Sequence, residues 1–344
     1  MDAFEETHPG VYIDVRIKEI SGSAGMLAAL ESTLDVAPDA APSLALMLQT
    51  DLETAVMRGR LQSPPGFAEL MQQEDWYAYA REMAHVQSDY FGIPFAADAM
   101  MVAVRSSSGQ PEMQDWENLL SSSRPLLFPA SDNRSLFTLG LYLSAGGKLF
   151  DEENHPSLDA MVFRRVLEFY KAAAEEGALA SSVADLSTYA HAWDIFSKRM
   201  SNQTICWLSD YLGQAKADEY GSVVPSLGAE TVTLVSGWMW ALTETSPEKL
   251  ELDMSLLQTL TEPAFQAAWT QTAGYLPVRP STLEDWGQPG QQELLSQATI
   301  TAVNQPASEI LNIFGPVLSE AVYNVVVKQA QPAEAARLAA EKIH

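Results

Sequence analysis

YFGIPFAADAMMVAVR, Tyr90–Arg105, is the stretch that decides the fold. Gly92 and Pro94 punctuate its start, and an apolar run follows that ends at Arg105. That pattern predicts an extended segment crossing a boundary. TLVSGWMW, Thr233–Trp240, has the same character. Two extended crossings, with no long polar linker between the parts they join, predict two lobes that are each discontinuous in sequence and hinge about the crossings. The expected limits are residues 1–100 with 236–285 for an N-terminal lobe and 101–235 with 286–344 for a C-terminal lobe.

Outward from these crossings, helices and strands alternate, which predicts an α/β architecture. DAFEETHPG reads as a short helix stopped by Pro-Gly, and VYIDVRI as a strand of alternating, β-branched character. A helix is expected from Leu44 or Asp51 onward. LDAMVFRRVLEFYKAAAEEGAL is the clearest helix, with apolar residues near helical spacing and a stop at Gly177. TICWLSD reads as a buried strand with polar residues at its end. ASEILNIFGPVLSEAVYNVVVKQ reads as a long helix interrupted by Pro316, and QPAEAARLAAEKIH as an amphipathic closing helix. TAGYLPVRPS, Thr272–Ser281, carries two prolines that exclude a helix and hold Tyr275 and Arg279 on stiff extended backbone.

The 344 residues are 47% hydrophobic, ample for more than one core. Lys and Arg number 20 against 45 Asp and Glu, a net charge of -25. Nucleic acid and anionic membrane surfaces are therefore poor partners, and a neutral or cationic one fits better. The one cysteine, Cys206, cannot form an internal disulfide and reads as a small buried apolar residue. No run reaches the length of a membrane span. His8, His85, His155, His191 and His344 are scattered, and no HExxH, GxSxG or P-loop spacing occurs. No Asp-x-Asp-x-Asp-Gly calcium loop is present. No catalysis, cofactor or metal is expected. Carboxylates are abundant, so nominating a hydrolytic pair among them carries no information.

The motifs resemble the extracellular solute-binding proteins of ABC importers, in particular the large sugar-binding group that includes maltodextrin-binding protein. FEETHPGVYIDVRI resembles that family's helix and second strand. YFGIPFAADAMMVAVR resembles its "yGiP" strand, LYLSAGGKLFDEE its small-residue turn, and WDIFSKRMSNQTICWLSDYL its "F..G..am...g.w" segment. SGWMWALTETSPEKLELDMSLLQTLTEPAFQAAWTQTAGYLPVR resembles the crossing back and the "GylPvr" loop, and QPAEAARLAAEKI the terminus. Each is weak alone; their order over nearly the whole chain is much stronger. The resemblance implies a periplasmic-binding-protein type II fold with an interlobe cleft. It implies an exported or lipid-anchored, extracytoplasmic monomer that binds a carbohydrate and delivers it to ABC permease subunits. The family's first strand and export signal are expected to precede Met1. Ala103-Val104 stands where the family has Tyr-Asn, and DVAPDAAP replaces its Gly-x-x-Pro-Asp turn, which points to a divergent specificity.

A sugar needs flat aromatic surfaces for its C–H faces and planar polar groups for its hydroxyls. The chain has 8 Trp and 11 Tyr to draw on. Trp207, Ser209 and Asp210 put a platform, a hydroxyl and a carboxylate together at the end of a strand, where ligands of open α/β sheets bind. Asp210 reads equally as a helix cap. Trp238 and Trp240 are read as pointing to opposite sides, Trp238 toward ligand with Gly237 permitting close approach; core packing of either is the alternative. Tyr275 and Arg279 border the cleft in the resembled family, and Arg279 either offers a donor fork to hydroxyls or pins its own loop. Asp98 either accepts two vicinal hydroxyl protons or caps a turn. Trp76 is a further ligand candidate on an aromatic helix. The competing function is a ligand-independent adhesion or scaffold protein that keeps the fold.

Overall fold

The computed structural model describes residues 2–20, 22, 24–106, 115–120, 125–228, 230–243, 246–284, 286–287 and 289–343. The chain divides into two compact units, one of residues 1–97, 236–272 and 276–292, the other of 98–235, 273–275 and 293–344. It passes from the first to the second inside one strand, Gly92–Arg105, and returns inside another, Thr233–Leu242. Both are the extended crossings legible in the sequence.

The strands are β1 Leu44–Leu48, β2 His85–Val86, β3 Asp89–Tyr90, β4 Gly92–Arg105, β5 Leu126–Leu127, β6 Gln203–Trp207, β7 Glu219–Val223, β8 Thr233–Leu242 and β9 Ala302–Asn304. In the first unit, β1 runs antiparallel to β8 with Leu48 opposite Trp238, and β2 and β3 form a hairpin. Leu52, Phe67, Met71, Tyr79, Phe95 and Met239 are buried there.

In the second unit, β4 pairs antiparallel with both β6 and β7, and β5 lies parallel to β6. Residues 233–235 of β8 run parallel to β9. The helices Ala160–Glu175, Ser308–Val326 and Pro332–Ile343 pack on one another. Phe163 and Tyr170 of the first of these helices are buried in one cluster with Phe128 and Phe137, and the Tyr170 hydroxyl is satisfied by Thr138 Oγ1 at 2.9 Å. Asp159 caps the first of these helices by accepting from the amides of Met161 and Val162.

Three local expectations change. Residues 44–48 are a strand, not the start of a helix, because the edge of β8 takes their backbone groups; the helix Gln49–Met57 follows directly. The segment read as a strand at VYIDVRI belongs to no strand ladder in the structure, and it exposes Tyr12 at 89% and Ile17 at 92%. β propensity acts only where a neighbouring strand is offered. Pro316 does not interrupt its helix, which runs unbroken with Leu311, Phe314, Leu318 and Val322 buried along one face. That burial outweighs the one hydrogen bond the proline removes.

Gly315, just before Pro316, lets this helix approach the 133–134 backbone: a Cβ there would stand 1.9 Å from the Asn133 carbonyl oxygen. Ser135 Oγ donates to the Gly315 carbonyl at 2.8 Å across the same contact. Backbone cannot swing aside as a side chain does, so Gly315→Ala is expected to lower unfolding free energy by about 2–3 kcal/mol, read by urea denaturation. A loss below about 0.5 kcal/mol would show that the contact yields.

Candidate functional site

The second unit assembles one polar group around the carboxyl end of β6. The β4–β6 register sets Met100 opposite Trp207. Asp98 therefore lies two residues beyond the last pair, where the chain has turned into the helix Leu208–Gln214. Asp98 Oδ1 accepts from the amides of Ser209 at 3.0 Å and Ala99 at 3.0 Å, and Oδ2 accepts from Ser209 Oγ at 2.5 Å. Burial pushes the Asp98 carboxyl up to about 7; its hydrogen bonds with Ser209 and Ala99 pull the other way, and Asp210 adds to the rise. Asp98 thus holds Ser209 in place, and the expected acceptor of two vicinal hydroxyls is already engaged within the protein.

Asp210 is half-buried and raised by that burial, with the Trp207 backbone pulling the other way. Asp210 stands at the third helical position, near the amide end of its helix, where a carboxylate is favoured. Trp207 is half-buried and meets Tyr189 edge-on, ring centroids 5.7 Å apart. Tyr275 closes the group: burial, then Asp98 and Asp210, raise its hydroxyl, and the Ser209 side chain pulls the other way. Gly274 makes this possible. It adopts φ +76°, and a Cβ there would lie 3.2 Å from Leu212 Cβ on the same short helix. Cys206 is buried on β6, with its thiol pushed up by burial and then by Asp210 and Asp98.

The first unit treats its candidates differently. Arg279 is 4% exposed and Trp76 is 3% exposed. The guanidinium lies over the Trp76 ring, Cζ 3.5 Å from its centroid. Arg279 Nε donates to Gln266 Oε1 at 2.8 Å, and Nη1 reaches the Asp75 carbonyl at 3.3 Å and its carboxylate at 3.5 Å. Burial lowers the guanidinium to about 10, with Asp75 opposing. Trp76 Nε1 donates to the Leu70 carbonyl at 2.9 Å. The fork imagined for ligand hydroxyls instead pins the loop, and Trp76 is its stacking surface inside the unit. The loop is held further by Tyr79 Oη on the Pro277 carbonyl and by the Tyr77 amide on Val278.

Trp238 and Trp240 do not divide as expected. Residues two apart on a strand share a face; both are half-buried on either side of buried Met239. Trp240 meets Phe95 edge-on at 5.9 Å. Gly237 faces the other way, and a Cβ there would fall 1.5 Å from Met83 Sδ, so this glycine serves internal packing and not ligand approach.

Beside Trp238, at the carboxyl end of β1, stand Gln49, Thr50 and Asp51, which sequence reasoning missed. Gln49 Nε2 donates to Glu53 Oε1 at 3.0 Å, while its buried Oε1 has no partner among the described residues. Burial and then Glu31 raise Asp51. Recognising LALML as a strand would have drawn attention to its carboxyl end. Among the described residues, no group of three His, Cys, Asp or Glu is placed to hold a metal, and no helix is long and apolar enough to cross a membrane.

A family model described as bacterial extracellular solute-binding protein matches residues 1–292. The chain belongs to that family, whose members bind solutes outside the cytoplasm and are not enzymes. No curated protein matches it in sequence. Solved structures share its fold. The sugar-binding protein MalE of Xanthomonas citri is 16% identical with a TM-score of 0.80, over 99% of this chain and 91% of that one. Maltose-bound MalE3 of T. maritima is 16% identical with a TM-score of 0.76, over 99% and 93%. An ABC transporter solute-binding protein of Thermotoga lettingae bound with α-D-tagatose is 16% identical with a TM-score of 0.75, over 99% and 93%. The architecture is the type II periplasmic-binding-protein fold, mixed α/β with two discontinuous units.

Two outcomes test this geometry. Arg279→Ala leaves Gln266 Oε1 and the Asp75 side chain without their cation, and is expected to cost about 3 kcal/mol in urea unfolding; a cost below about 1 kcal/mol would mark the contacts as incidental. For Asp98, the folded value of about 7 lies above its ordinary 3.8. Between those values the native state holds a proton that the unfolded chain has released. The contribution is complete below the lower value and lost as pH rises through the upper one. The stability difference between wild type and Asp98→Asn, followed by denaturation from pH 4 to 8, should therefore shift against wild type as pH rises. A flat difference refutes the raised carboxyl.

Proposed function

We propose that this protein is the substrate-binding component of an ABC importer, taking a sugar or oligosaccharide and delivering it to the permease subunits as an exported or lipid-anchored monomer. The observation that carries the reading is the arrangement of Trp207, Asp210 and Tyr275 around Ser209: a half-buried indole beside a carboxylate and a phenol, supported from behind by Asp98. The indole suits the C–H face of a pyranose, and Asp210 and Tyr275 suit its hydroxyls. Trp238, with Gln49 and Asp51 beside it, offers the same pairing of aromatic and polar groups on the other unit. Arg279 and Trp76 support their loop in this scheme. Family membership and the sugars named for the fold's relatives agree with it. No chemistry is required of the site; transport selectivity needs only different affinities for two states of the protein.

A thermal-shift panel of maltose, maltotriose, tagatose and polyols tests the reading. A ligand that binds only the native state raises the melting temperature by mass action. One sugar class is expected to give a shift of several degrees that Trp207→Ala abolishes and Arg279→Lys retains. A folded protein that no sugar of the panel stabilises would overturn the carbohydrate reading in favour of a ligand-independent role.

A further inference from the structure

Gln266 lies on the helix Pro263–Ala273 and is 1% exposed. Its side-chain amide carries N–H donors and a carbonyl acceptor, and burial requires that they be met. Nε2 donates to the Pro94 carbonyl at 2.9 Å and to the Phe95 carbonyl at 3.3 Å. Oε1 accepts from Arg279 Nε at 2.8 Å. One side chain thus joins β4 to the loop that carries Arg279. The same two segments meet at the isolated bridge between Ala97 and Leu276.

In an antiparallel pair the hydrogen-bonded positions recur at every second residue, so the next rung of this bridge would join Phe95 and Val278. Instead the Phe95 carbonyl takes Gln266 Nε2, and the Val278 carbonyl takes the Tyr77 amide at 3.1 Å. A step further in the same register, Pro94 faces Arg279, and Gln266 bonds to both. The glutamine therefore stands where the ladder stops. On the other side of the bridge, the residue after Ala97 faces the residue before Leu276, which brings Asp98 to Tyr275.

We propose that Gln266 is a positioning residue for the candidate site, a side-chain stitch that takes the place of the next rung and keeps Asp98 and Tyr275 in register. It acts through Ala97 and Leu276, the residues from which those two leave the bridge. Its own backbone is fixed: the Gln266 amide donates to the Glu262 carbonyl at 2.9 Å, and Thr270 Oγ1 donates to the Gln266 carbonyl at 2.7 Å. The loop end is fixed as well, because Arg279 lies over Trp76 and Asp75 accepts from the Ser281 amide at 3.0 Å and its hydroxyl at 2.6 Å. Asparagine is a methylene too short to span the two, and an ionised glutamate has no proton for the β4 carbonyls.

That Asp98 and Tyr275 serve a ligand rests on the carbohydrate reading. The stitch is read in the ligand-free protein, so the two fail separately. Amide hydrogen exchange followed by NMR reports local opening at Ala97 and Leu276. Gln266→Glu keeps an acceptor for Arg279 and turns a second acceptor on the Pro94 and Phe95 carbonyls. Gln266→Met keeps length and bulk and removes both functions, and decides the matter where Gln266→Glu does not fold. In each, the two bridge amides are expected to exchange about tenfold faster, while the β1–β8 ladder of the same unit keeps its rates. Tyrosine labelled with carbon-13 at Cζ, assigned through Tyr275→Phe, is expected to show the Tyr275 resonance moved and that of buried Tyr170 unmoved. Bridge amides that exchange as in wild type overturn the proposal. So does a faster exchange shared by the whole unit, which would make Gln266 a general support, and so does an open bridge with the Tyr275 resonance in place.

Discussion

The antiparallel register of β4 against β6, Met100 opposite Trp207, fixes the candidate site. It sets Asp98 against the first turn of the helix after β6, which orients Ser209. A slip of one residue would turn every side chain of β4 to the opposite face and carry Asp98 away from Ser209. The register is secured at its far end. Arg105 Nη2 pairs with buried Glu219 Oε1 at 2.6 Å, while the same guanidinium donates to the carbonyls of Ser201 and Phe196. A buried ion pair adds little net stability once desolvation is counted, but breaking it is expensive. Its role here is to make one register far better than the next.

The loop that opens with Gly274 depends on the same strand. Ala97 and Leu276 exchange both backbone hydrogen bonds, at 3.0 and 2.7 Å, so the extended path imposed by Pro277 and Pro280 begins as a partner of β4. Pro277 keeps the stretch before Arg279 extended. Pro280 does not exclude a helix as expected but opens one, Pro280–Glu284, because its fixed φ suits a first helical position. The bridge fixes the start, and Arg279 over Trp76 fixes the end. Tyr275 stands directly before the bridged Leu276, where this path begins.

What the sequence revealed followed from contiguity. Trp207, Ser209 and Asp210 were visible because they are neighbours in the chain. Asp98 joins Ser209 across 111 residues, and that partnership follows from a register no local pattern announces. The two crossings were legible because apolar runs of that length have few other uses. The errors share one cause. LALML lacks β-branched residues and reads as helix, yet the edge of β8 makes it a strand; VYIDVRI has strand propensity and belongs to no ladder. Neither outcome is written in the segment itself. For Arg279 and Trp76 the sequence left a ligand contact and an internal role both open, and packing chose the second by turning them toward each other.

The charge balance then bears on what the site accepts. Asp98, Asp210 and Tyr275 are all raised, each with burial first among the causes, and among the described residues the groups acting on them include neither Lys nor Arg. An anionic ligand such as a sugar phosphate would add like charge to two carboxylates with no basic group to receive it, on a chain already at -25. A neutral polyol has no such penalty, because its hydroxyl protons complete the carboxylate lone pairs that burial has taken from water. On the carbohydrate reading, a neutral hydroxyl-bearing ligand therefore suits Asp210 better than an anion would, while Asp98 is already engaged by Ser209 and Ala99.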